Sequence, residues 1–179
     1  MIPRRDALER LSFMLGGAFS TQITAALMGQ VLNEGASISV SPEQTALLAE
    51  LADVIIPATD TPGAKAAGAE TFMVRVMRDC FEIGEQKAFY AGVAKIDEAG
   101  RKAHGKPFAE LAPEQKSALV RAAAEADKPF FLRLRELAVT GYFTSEIGAT
   151  QALEYVPVPG FFTGDVPMKP GQKAWAISK

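Results

Sequence analysis

Residues 41–80 read SPEQTALLAELADVIIPATDTPGAKAAGAETFMVRVMRDC, and this stretch decides the fold class. Ser41, Pro42, Glu43 and Gln44 form a helix-start signature: a hydroxyl cap, proline at the first helical position, and a side chain three residues on that can reach back to the cap. Leu47, Leu51, Val54 and Ile55 then fall on one apolar stripe at helical spacing. Pro57 stops that helix, because proline has no N–H to continue it. Thr59, Asp60, Thr61, Pro62 and Gly63 are turn chemistry. Beyond them Met73, Met77 and Cys80 mark a second helix starting near Ala69. No stretch of the chain alternates polar and apolar residues in the manner of strands, so the fold class is all-α.

Toward the C-terminus the same period continues. Gly84 is expected to break the second helix, and a third carries Phe89, Val93 and Ile96 until His104, Gly105 and Pro107 end it. Pro113 opens a fourth helix with Leu119, Ala122, Ala123 and Ala126 facing inward. A fifth starts after Pro129 with Phe130, Leu134, Leu137 and Ala138, and Ser145 with Glu146 begins a short sixth. The expectation is a compact bundle of five to six helices. Residues 156–179 hold four prolines and three glycines and read as an irregular tail.

Toward the N-terminus, MIPRRDALER precedes an uncharged run from Leu11 to Leu32. Arg4 and Arg5 ahead of an apolar stretch diluted by Gly16, Gly17, Ser20, Thr21 and Gln22 fit a twin-arginine (Tat) export address, which carries folded cargo. Asp6 and Glu9 dilute the motif, and Thr24 to Ala26 is the nearest approach to a cleavage site. A run of this length is also just long enough to span a bilayer. Residues 1–36 therefore read as an export signal or N-terminal anchor, and residues 37–179 as the helical domain with its tail.

Composition narrows the chemistry. The 179 residues are 48% hydrophobic, enough for one domain with its own core. Nineteen basic against 21 acidic residues leave a net charge of -2, opposite in sign to the usual footprint of a nucleic-acid binder. One cysteine excludes an internal disulfide, and one histidine excludes a multi-histidine metal site. His104 sits at a helix end beside Lys102 and Lys106, where a cation complements the helix dipole; the competing reading is a general acid or base. Cys80 lies on the apolar stripe with Met73 and Met77, as a buried thiol would. Asp53 and Asp60 flank Pro57 with nothing to bring them together. Phosphate-binding, dinucleotide-binding, serine-elbow and CxxC motifs do not occur. The aromatic residues Tyr142, Phe143, Tyr155, Phe161, Phe162 and Trp175 stand out near the C-terminus. They either pin the tail to its own domain or form an interface, whose centres are enriched in such residues.

Three segments carry a resemblance: LLAELADVIIPATDTPGAKAAG at 47–68, GKPFAELAPEQKSALV at 105–120 and GYFTSEIGATQALEYVPVPG at 141–160. In this order they closely resemble the gluconate 2-dehydrogenase subunit 3 family, the small subunits of membrane-associated FAD-dependent sugar dehydrogenases, from about Ser41 to Trp175. The resemblance implies a subunit that is not itself catalytic and carries no cofactor. Such a subunit binds a GMC-type large subunit containing FAD, assists its maturation and takes it through the Tat pathway to the periplasm. Often a multihaem cytochrome c subunit (haem c) completes the complex at the inner membrane. No catalytic or metal-binding position comes with the resemblance. The expected interface residues are Tyr142, Phe143, Phe161, Phe162 and Trp175, and the expected export residues Arg4 and Arg5. The alternative is a free-standing periplasmic helical enzyme or ligand-binding domain using His104, Asp53 and Asp60.

Overall fold

The Ser41 hydroxyl accepts from the Gln44 amide at 3.2 Å, and the Gln44 side chain accepts from the Ser41 amide at 3.0 Å. This reciprocal cap launches helix α1, Pro42–Ile55. The computed structural model describes residues 23–24, 38–158, 160–161, 167 and 169–176. Arg4, Arg5 and Phe162 lie outside them, as does nearly all of the expected export segment. Four more α-helices follow: α2 (Ala69–Cys80), α3 (Ile83–His104), α4 (Pro113–Ala126) and α5 (Lys128–Phe143), with a single 3₁₀ turn at Phe108–Glu110 and a π-helical turn at Gly148–Ala152. The all-α expectation holds, and no strand occurs among the described residues.

Each helix buries one stripe. In α2 the stripe is Met73, Val76, Met77 and Cys80, spaced i, i+3, i+4, i+7. In α5 it is Phe130, Leu134, Leu137 and Ala138, as the sequence spacing predicts. Phe89, Val93 and Ile96 of α3 are buried as expected. These stripes meet Leu48 and Leu51 of α1 in one cluster, and each such side chain contributes about 1.5–3 kcal/mol by leaving water.

Three local expectations change. Gly84 does not break a helix: α2 ends at Cys80, and Gly84 lies in the first turn of α3. The break falls at Phe81 and Glu82, where the Glu85 carboxylate accepts from the Glu82 amide at 3.2 Å and restarts the helix. In α1 the fully buried face is Leu48, Ala49, Leu51 and Ala52, while Leu47, Val54 and Ile55 pack at its margin. In α4 only Val120 is buried, Leu119 and Ala123 are half-buried, and Ala122 and Ala126 are exposed. Alanines impose little orientation, so the largest apolar side chains and Lys116 turn this helix.

The connections leave little slack. Asp127 follows the last residue of α4 and caps the first turn of α5: its amide donates to Ala123 O at 2.9 Å, and its carboxylate accepts from Phe130 N at 3.1 Å. Gln86, 1% exposed, joins the chain before α1 to the α2–α3 corner. Its amide oxygen accepts from Ile38 N at 3.0 Å and its nitrogen donates to Phe81 O at 2.8 Å. The Arg133 guanidinium of α5 stacks over the Phe81 ring, 4.4 Å from its centroid.

An ion triad fastens α1 to two distant segments. Glu50 pairs with Lys65 at 2.5 Å and Lys116 at 2.6 Å, and the Glu50 and Lys116 side chains are 17% and 14% exposed. Burial pushes the Glu50 carboxyl upward, but the hydrogen-bonded Lys116 and Lys65 outweigh it and hold the pKa below the ordinary value. The stability from Glu50 is therefore fully present above the ordinary glutamate pKa of about 4.3 and fades as pH falls through the lower folded value. Glu50→Gln should lower the unfolding free energy at pH 7 by about 1–3 kcal/mol. The deficit should shrink at pH 3.5. Denaturant titrations of both proteins at the two pH values measure this, and equal stability at pH 7 would show that the triad contributes nothing net.

Candidate partner interface

The loop between α1 and α2 turns back on itself. Ala64 N donates to Ile56 O at 2.9 Å, and Thr59 N donates to Thr61 O at 3.0 Å. Lys65 N donates to the Asp53 carboxylate at 3.3 Å. Gly63 is pressed into this fold: a Cβ there would stand 2.4 Å from Asp53 Oδ1 and 2.7 Å from Ala58 N. Only a residue without a side chain fits.

The end of α5 reaches the same loop. Tyr142, 1% exposed, donates its hydroxyl to Pro62 O at 2.9 Å and lies 3.3 Å from the Thr61 hydroxyl oxygen. Behind it the chain reverses tightly. The Ser145 hydroxyl donates to Tyr142 O at 2.6 Å and accepts from Gly148 N at 3.0 Å. A Cβ on Gly148 would fall 1.9 Å from Tyr142 O. The expected short sixth helix is present in π form, with Leu153 N donating to Gly148 O at 2.9 Å.

The described part of the tail returns to this turn. Glu154 and Trp175 form an isolated parallel bridge, in which Glu154 N donates to Ala174 O at 2.8 Å and Ala176 N to Glu154 O at 2.9 Å. The Lys173 ammonium donates to Gln151 O. Lys173 also acts on Asp60, whose pKa is lowered first by the Thr59 hydroxyl and further by this charge. The 56–64 loop, the end of α5 and the returning tail thus sit at one end of the bundle.

Of the residues expected at an interface, Phe143 is 38% exposed and Phe161 94% exposed. Tyr155 and Val158, on the same terminal stretch, are also exposed. Trp175 is half-buried against its own chain, and the buried Tyr142 ring offers no surface to a second molecule. Tyr142 positions the loop and its neighbour Phe143, whose ring it meets edge-on at 5.0 Å.

His104, Asp53 and Asp60 do not converge. His104 is exposed at the end of α3, where its Nδ1 lies 3.4 Å from the Gln115 amide nitrogen; Gly105, with φ 69°, closes the helix behind it. Asp53 holds the Lys65 amide, and Asp60 accepts from the Thr59 hydroxyl at 2.8 Å. Cys80 is buried in the core. No group of three or more His, Cys, Asp or Glu side chains able to hold a metal occurs among the described residues. Two of the grooves among the described residues border α3. One of about 230 Å³ between α3 and α4 has alanine walls, including Ala99 and Ala122. The other, about 450 Å³ between α1 and α3, is bordered by Tyr90, a buried phenol that burial pushes up to about 12.

Tyr142→Phe removes the hydroxyl that donates to Pro62 O and should cost about 1–2 kcal/mol of stability. Amide exchange at Thr59, Ala64 and Lys65 should accelerate more than in the middle of α3. Unchanged exchange at those amides would show that the loop holds itself.

No match was found among curated proteins or solved structures. The sequence profile of the family described as Gluconate 2-dehydrogenase subunit 3 matches residues 42–160, which takes in α1 to α5, the loop that Tyr142 clamps and the π turn. With two thirds of its length matched, the chain belongs to the gluconate 2-dehydrogenase subunit 3 family.

Proposed function

We propose that this chain is the non-catalytic small subunit of a periplasmic FAD-dependent sugar or sugar-acid dehydrogenase complex. It binds the GMC-type flavoprotein large subunit, assists its maturation and carries it through the Tat pathway. The observation that carries the binding part is the convergence of the 56–64 loop and the 141–155 segment through Tyr142 and Pro62, with Phe143, Tyr155, Val158 and Phe161 exposed on the stretch that follows. A buried polar clamp gives those aromatics a fixed base. Exposed aromatics on a fixed base lose little conformational entropy on docking, and they are the residue type that dominates interface energetics. Pro157 stiffens the stretch further. FAD belongs to the large subunit in this reading, and haem c to a cytochrome subunit where one is present.

The export part rests on Arg4 and Arg5 ahead of the uncharged run from Leu11 to Leu32. A folded-cargo pathway suits a partner that must bind flavin before crossing. No helix among the described residues is long and apolar enough to span a membrane, so inner-membrane association is assigned to the complex or to the N-terminal segment.

Phe143→Ala with Phe161→Ala should leave the melting temperature within a few degrees, since both rings are exposed, while weakening association with the flavoprotein at least about tenfold. Thermal unfolding beside co-purification from the native host separates the two effects. Undiminished association of the folded double variant would place the interface elsewhere. Replacing Arg4 and Arg5 by lysine should strand flavoprotein activity in the cytoplasm, measured by fractionation with an artificial electron acceptor. Normal periplasmic activity would refute the export role.

A further inference from the structure

Ile23 belongs to the uncharged run that reads as an export address, and an ordinary leader contributes nothing to the mature fold. Yet its side chain is 0% exposed and is part of the same hydrophobic cluster as Leu48 and Leu51 of α1, Met73 of α2 and Leu134 of α5. Ile23 and its neighbour Thr24 are helical.

We infer that Ile23 is a core residue of the mature subunit and that the chain through this position is retained after export. Two physical arguments lead there. Cleavage at the nearest candidate site, Thr24 to Ala26, would take Ile23 out of the core and leave a cavity among packed apolar side chains, which the helices cannot collapse to fill without cost. The bond such a site offers for cleavage, after Ala26, also lies three residues from the buried, helical Ile23. Proteolysis concentrates at exposed, locally unfolded chain, and opening a core element draws on much of the global stability of the fold. A folded-cargo pathway adds a consequence: the domain reaches the membrane with Ile23 already packed. Position 23 then serves both the export address and the core.

The export reading supplies the setting in which retention matters, but the burial of Ile23 stands without it. Intact-mass measurement of the subunit recovered from the periplasmic side of its native host should give a chain that still contains Ile23. An N-terminus at Thr24 or later would overturn the inference. In the full-length chain, Ile23→Ala should lower the melting temperature by about 5–15 °C and Ile23→Val by a few degrees. Unchanged melting of Ile23→Ala would equally overturn it. If no subunit reaches the periplasmic side, that result counts against the proposed export role, and the melting comparison alone decides the place of Ile23.

Discussion

A loop that leaves a helix at a proline and packs against the bundle cannot satisfy all of its own backbone, and much of this structure answers that constraint. Pro57 ends α1, and the residues up to Ala69 form no regular helix or strand. Their polar groups are met from three directions: from the end of α1 through Asp53, from within through Ile56 O and Thr61 O, and from α5 through the Tyr142 hydroxyl. The Tyr142 bond is the long-range one. It requires α5 to run its full length in register and the chain beyond it to turn away at once, which Ser145 and Gly148 accomplish. Unpaired buried backbone groups are rare in folded proteins because each costs about as much as a lost hydrogen bond, so the loop and the end of α5 are structurally one unit.

The opposite fastening is ionic. Lys116 rests 5.8 Å above the Phe108 ring while its ammonium reaches Glu50. This draws α4 toward α1 although α4 buries only Val120 completely. A helix with so small an apolar stripe would be held poorly by packing alone. Its position therefore depends on the Lys116–Glu50 pair as well as on packing, and Ala122 and Ala126 stay exposed.

How much of this could be read beforehand depended on the range of each interaction. The Ser41 and Gln44 cap, the prolines at helix starts, and the stripes of α2 and α5 are local, and spacing was enough to find them. Gly84 misled because glycine tolerates a helix's first turn, where little hydrogen bonding is lost. The α4 face was misplaced because the three alanines assigned to it give the spacing argument almost no weight. Glu50 with Lys116, and Tyr142 with Pro62, lie far apart along the chain, so no local pattern announces them. The family resemblance marked both segments that Tyr142 joins without indicating that they touch. Tyr142 and Phe143 looked alike as neighbouring aromatics, but a helix sends adjacent side chains about 100° apart. One became a clamp while the other stayed exposed.

The double role of Asp127 bears on how such a chain can change over generations. With one residue serving as the end of α4 and the cap of α5, the junction has no spare length. A single inserted residue inside the first turn of α5 would rotate everything after it by about 100° and carry Leu134, Leu137 and the Tyr142 hydroxyl away from their places together. An insertion at this junction is thus costly by geometry, whereas a residue added outside a helix leaves the register of every helix unchanged.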